Sequence, residues 1–139
     1  MAPKSQHKTS IYLDTDVLGI IAQREVGAGT RSEVIRACVE RYAEVCQRSC
    51  PAFTDAEWRF LFGVLDEECL AGRPSASYIV PAVKDKLERS GLPLGEKMRA
   101  LVARLEQATF VELVAVLDEA ERWWAAVRRG QKPRTRAEA

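Results

Sequence analysis

The stretch KTSIYLDTDVLGIIAQREVGAGTRSEVIRACVERYAEVC, from Lys8 to Cys46, decides the predicted fold. It begins with an alternating segment in which Thr9, Ile11 and Leu13 would share one face of a β-strand. A polar turn, a helix, a glycine-containing turn and a second helix follow. A lone strand cannot satisfy its backbone groups within one chain, so we expect a second copy of the chain to supply an antiparallel partner strand.

The second helix of this stretch has a clear beginning and a clear apolar face. Thr30 and Glu33 have the spacing of a capping box, in which each side chain bonds the backbone amide of the other residue. The apolar residues that follow repeat with the period of an α-helix. They are Val34, Ile35, Cys38, Val39, Tyr42 and Cys46.

The motifs of this stretch resemble those of the ribbon-helix-helix family, the MetJ/Arc/CopG group of DNA-binding dimers. The resemblance rests on a strand followed by Asp-x-Asp and an apolar residue (11–17), on Gly-Thr-Arg-Ser-Glu-Val-Ile (29–35), and on the spacing between them. It implies an intertwined homodimer whose two-stranded ribbon enters the major groove of double-stranded DNA.

The same resemblance implies two sets of DNA contacts. Lys8, Ser10 and Tyr12 would face the base edges from the outer side of the strand. The backbone amides at Thr30, Arg31 and Ser32 would bind a phosphate at the positive end of the second helix. Arg31 has a second interpretation, an ion pair with a neighbouring carboxylate.

Composition and charge indicate a soluble globular protein. The 139 residues are 47% hydrophobic and 29% charged, with a net charge of +1. No global basic field attracts DNA, so affinity must come from local placement of charge and from doubling of the site in a dimer. There is no run as long as a membrane span and no signal-like apolar core at the N-terminus, so we expect a cytoplasmic protein without membrane contact.

Nothing in the sequence predicts a metal, a cofactor or a catalytic site. The four cysteines form no CxxC pair and His7 is the single histidine, which disfavours a zinc centre. The adjacent carboxylates Asp118 and Glu119 would not converge on one atom, so acid–base catalysis is not expected and we predict that the protein is not an enzyme.

The remainder of the chain predicts a mainly α protein in which a four-helix module follows the ribbon-helix-helix domain. Capping boxes begin helices at Thr54 and Thr109. The predicted organisation is a flexible arm (1–7), the DNA-binding and dimerisation domain (8–50), the helical module (51–129) and a disordered basic tail (130–139).

Three roles are open for the helical module, residues 52–129. It could assemble the dimers into higher oligomers, bind a partner protein, or enclose a small effector among its aromatic side chains. The predicted function is sequence-specific DNA binding, as a transcriptional repressor or a plasmid partition or transfer accessory protein. The alternative is an antitoxin-like interaction protein that neutralises a partner.

Overall fold

A computed structural model of the chain describes residues 12–25 and 29–138 and shows seven α-helices within them. The helices are α1 (Thr15–Ala22), α2 (Arg31–Ser49), α3 (Asp55–Val64), α4 (Glu67–Ala71), α5 (Ile79–Ser90), α6 (Glu96–Gln107) and α7 (Phe110–Arg128). A short 3-10 helix, Ala76–Tyr78, directly precedes α5. The chain divides into two compact units, Met1–Tyr42 and Ala43–Ala139.

The predicted N-terminal strand is wrong, although the mainly α class is confirmed. No β-strand occurs in the two described ranges, and Tyr12 and Leu13, which would end the strand, have no regular secondary structure. Residues 9–11 lie outside the description. A strand requires a hydrogen-bonded neighbour, and an alternation of five residues is too short to specify one. The ribbon-helix-helix architecture with its intertwined strands is therefore not the fold found here.

The first unit contains α1 and the beginning of α2. Asp14 caps α1 by accepting a hydrogen bond from the Val17 amide at 2.9 Å. Gly29, with a φ of +88°, precedes α2 in a conformation that favours glycine. Of the residues described in this unit, Ile21 and Val34 are the buried hydrophobic ones.

The second unit has an aromatic core centred on Trp58. The Trp58 ring lies 5.0 Å from Phe53 and 5.6 Å from Phe62, and Phe62 in turn stacks on Trp123 at 4.8 Å. The Trp124 indole nitrogen donates to the Phe62 and Leu65 carbonyls at 3.0 and 2.9 Å. These two hydrogen bonds give donors to carbonyl groups at the C-terminal end of α3, and they connect α7 to that helix.

Five α-helices follow α2, where the sequence predicted four. The additional one arises because the helix that begins after Thr54 ends at Leu65, whose φ and ψ are −93° and 66°, and a separate helix follows it. Asp66 then caps a new helix by accepting from the Cys69 amide at 2.8 Å. An aspartate that bonds the backbone ahead of it favours a helix start over a helix interior.

The tail that follows α7 packs against the second unit, whereas the sequence predicted disorder from residue 130. Gly130 has a φ of +77°, the left-handed conformation that commonly ends a helix. The side chain of Thr135 is completely buried. A buried hydroxyl this close to the end of the chain shows that the tail is held by specific bonds.

Candidate polyanion-binding site

The predicted base-contacting residues are described only in part. Lys8 and Ser10 lie outside the described residues. Tyr12 is fully exposed. These three residues were predicted to contact DNA from a two-stranded ribbon, and no strand occurs among the described residues. Their role in DNA contact therefore stays a prediction.

The predicted phosphate-contacting residues lie at the start of α2. Thr30 accepts a hydrogen bond from the Glu33 amide at 3.3 Å and so acts as the helix cap. The Arg31 guanidinium lies 3.5 Å from a carboxylate oxygen of Glu25, which is the alternative noted for it. Ser32 is exposed. The arginine at this helix start therefore already has an acidic partner.

A stronger concentration of positive charge lies at the other end of the chain. Between Arg122 and Arg136 the sequence contains six basic residues and no acidic one. They are Arg122, Arg128, Arg129, Lys132, Arg134 and Arg136. Helix α7 supplies the first two, and the tail turns back at Gly130 to bring the last three onto the same unit.

Three of these cations already have partners. Arg122 and Arg136 both bond Oε1 of Glu119, at 3.2 and 3.3 Å. Arg128 bonds Glu67 at 3.0 Å. An ion pair offsets much of the charge of its arginine, so these three cations attract an anion less strongly than unpaired ones do.

The other three cations are exposed and unpaired. Within the described part of the chain, Arg129, Lys132 and Arg134 form no ion pair and no side-chain hydrogen bond. An exposed guanidinium or ammonium without an intramolecular acceptor retains its full capacity to bind an anion.

Two of the unpaired arginines line one concavity, which we call the arginine cleft. Its volume is about 330 Å³. The lining includes Arg122, Arg129 and Arg134 with Trp123, Pro133 and the single carboxylate Glu119. Trp123 forms a rigid wall because it stacks on Phe62 and lies 5.2 Å from the Arg59 guanidinium.

Hydrogen bonds of the tail set the position of Arg134. The Thr135 hydroxyl donates to Oδ1 of Asp55 at 2.8 Å. Arg59 joins this contact, since it pairs with Asp55 at 3.0 Å and with Glu138 at 2.8 Å. On the other side, Arg136 donates to the Gln47 carbonyl at 3.2 Å. These bonds flank Arg134 and hold it opposite α7.

Two further acidic residues of α7, Asp118 and Glu121, lie outside the lining of the cleft. Desolvation raises the pKa of Asp118 above its ordinary value, and it likewise raises the pKa of Glu121. Partial burial of a carboxylate disfavours its charged form. The cleft itself contains only Glu119, which two arginines already engage.

The sequence contains a signal for this site that was not used above. The predicted boundary at residue 130 divides the basic cluster between the helical module and the tail, and the acidic residues of the helical module conceal it. A count from Arg122 to Arg136 alone reveals the excess of positive charge. Arg122 and Arg134 line the same cleft because the tail turns back towards α7. No local sequence pattern predicts this turn.

Other kinds of site receive no support from the described residues. The described residues include no group of three or more His, Cys, Asp or Glu side chains that could hold a metal ion. None of the helices in this part of the chain is long and apolar enough to cross a membrane.

Comparison with known proteins returned no matching family model, no matching curated protein and no matching solved structure.

Proposed function

We propose that this protein is a cytoplasmic binding protein for double-stranded DNA, not an enzyme, and that it acts as a homodimeric repressor or plasmid accessory protein. The observation that carries the proposal is the acid-free run of cations from Arg122 to Arg136, in which three cations are unpaired. Cations that neutralise backbone phosphates release condensed counterions and supply most of the affinity for any DNA sequence.

For DNA binding, the position of the basic residues matters more than the net charge of the chain. A net charge of +1 creates no long-range attraction to DNA. Concentrating cations on α7 and the tail creates a local field, and such a field decays within about 10 Å at 0.1 M salt. The surface around the arginine cleft would therefore act at contact distance, along the backbone of the duplex.

A second copy of the chain is the proposed partner of the first unit. Val17, Ile20 and Val39 are exposed although they belong to helices with an apolar face. The two buried hydrophobic residues described in this unit are a small core for two helices. Dimerisation would cover this apolar surface and would also double the number of arginine clefts that face DNA.

The test is a binding titration of fluorescent duplexes combined with light scattering. We expect a dimer in solution and an affinity for a 30-base-pair duplex that falls steeply as salt rises, as counterion release requires. A binding site selected from a random DNA library would establish sequence preference. A protein with no measurable duplex affinity at low salt would overturn the proposal.

One observation favours a second candidate function, an antitoxin-like interaction protein. An open groove of about 840 Å³ has an apolar floor that includes Leu87, Leu92, Leu94 and Val102. Leu92 is 73% exposed, and together with the other apolar side chains of this groove it presents an apolar surface of the kind that binds partner proteins. Leu92→Ser would abolish capture of a protein partner but leave DNA binding unchanged, so this variant separates the two functions.

A further inference from the structure

We propose that the arginine cleft is a phosphate-binding site in which Arg129 and Arg134 are the ligands and Arg122 is an auxiliary cation. The phosphate would belong to the DNA backbone, and for that source the inference rests on the proposed function. Free inorganic phosphate has the same chemistry and is the alternative source.

The balance of charge favours the arginine cleft over the adjoining concavity as a site for an anion. The arginine cleft contains three guanidinium groups and one carboxylate, and that carboxylate, Glu119, is engaged by Arg122 and Arg136. The adjoining concavity, of about 550 Å³, also contains three arginines but has two carboxylates, Asp118 and Glu119. An anion entering the neighbour would meet twice the negative charge.

The ligand class follows from the donors. A guanidinium group presents paired N–H donors in a plane, which match the oxygens of a phosphate. Arg129 and Arg134 have no acceptor in the described chain, so a phosphate would complete their hydrogen bonding without breaking any bond. Arg129 comes from the end of α7 and Arg134 from the tail, so a phosphate would bridge two segments.

The chain provides matched controls for both ligands. Arg128 is the immediate neighbour of Arg129, but it pairs with Glu67 and lines a different concavity. Arg73 is an exposed arginine outside the basic run, with no ion pair and no side-chain hydrogen bond in the described chain, and it is absent from the lining of the cleft. Substitution by Gln removes one charge in every case, so only position differs.

The experiment measures two affinities, for a fluorescent duplex and for inorganic phosphate, on the full chain. We expect Arg129→Gln and Arg134→Gln each to weaken duplex binding about tenfold, the loss typical of a charge-assisted hydrogen bond. The log–log salt slope should shrink by about one per variant. Arg128→Gln and Arg73→Gln should change affinity less than twofold, and thermal melting should show that all four variants remain folded.

The outcomes separate the inference from the proposed function. Equal losses in the cleft variants and their controls would overturn the cleft assignment, even if the wild type binds DNA well. Binding of free phosphate that depends on Arg129 and Arg134, in a protein without duplex affinity, would support the cleft and refute DNA as its source. A wild-type protein that binds neither the duplex nor free phosphate would refute both the phosphate site and the proposed function.

Discussion

Thr135 is the residue on which the docking of the tail depends. Its hydroxyl is completely buried and donates to Asp55, a residue eighty positions earlier in the chain. A hydroxyl in such a place is costly without its partner, because burial removes the water that would replace the bond. Sequence reasoning could not find this contact, since a threonine between two arginines has the composition of a disordered tail.

Thr135→Val tests whether the tail positions Arg134. The variant keeps the shape of the side chain but removes the hydroxyl that donates to Asp55, which then retains Arg59 as its donor in the described chain. We expect the tail to detach more readily, with a loss of about 1 kcal/mol of docking free energy. Trypsin should then cleave faster after Arg134, and duplex affinity should fall as in Arg134→Gln. Thr135→Ser restores the donor and should recover both properties. Unchanged cleavage in the Val variant would show that other bonds hold the tail.

Cys50 offers a pH-dependent test of local burial. Desolvation raises the pKa of its thiol to about 11, well above the ordinary value of a cysteine. The thiolate is the reactive form, so Cys50 should alkylate slowly at pH 8 and faster only as the pH approaches 11. The unfolded chain ionises first as pH rises from 9, so this thiol lowers the free energy of unfolding over that interval. Mass spectrometry after iodoacetamide treatment, with exposed Cys38 as internal reference, measures the rate.

At the scale of elements, local signals predicted helix starts well. Both halves of the predicted capping boxes at Thr54 and Thr109 are confirmed, with bonds of 2.9–3.2 Å. These boxes are predictable because every atom involved lies within four residues. The predicted strand at residues 9–13 is wrong, because the pairing of a strand depends on a segment that is remote in sequence. The arginine cleft likewise joins α7 to a tail whose path is set by Asp55 and Glu119.

The base-contact prediction can be tested without the ribbon that suggested it. We expect Ser10→Ala combined with Tyr12→Ala to remove sequence preference while leaving most of the affinity for any duplex, because base contacts specify and phosphate contacts position. Competition between a selected site and a scrambled duplex measures this difference. Retention of the same preference by the double variant would exclude these residues as base readers. Asp14→Ala, which removes the cap of α1, controls for damage to the nearby helix.

At the scale of the whole molecule, charge is balanced in sum but not in space. Twenty-one basic and twenty acidic residues nearly cancel, yet the run from Arg122 to Arg136 is free of acid. A protein of this kind resists non-specific attraction at a distance and still presents a local surface to a polyanion. The salt dependence of binding therefore reports on the basic segment and not on net charge.

Truncation after Gly130 tests that statement directly. The shortened chain loses Lys132, Arg134 and Arg136, of which the first two are unpaired, so the log–log salt slope of duplex binding should shrink by about two. The truncation also removes Glu138, so the net charge falls by two. The matched control carries Lys86→Gln and Lys97→Gln, which remove two exposed cations, one from α5 and one from α6. Its slope should remain close to that of the wild type. Equal slopes in the two variants would mean that net charge alone governs binding, and the segment from Arg122 to Arg136 would then have no special role.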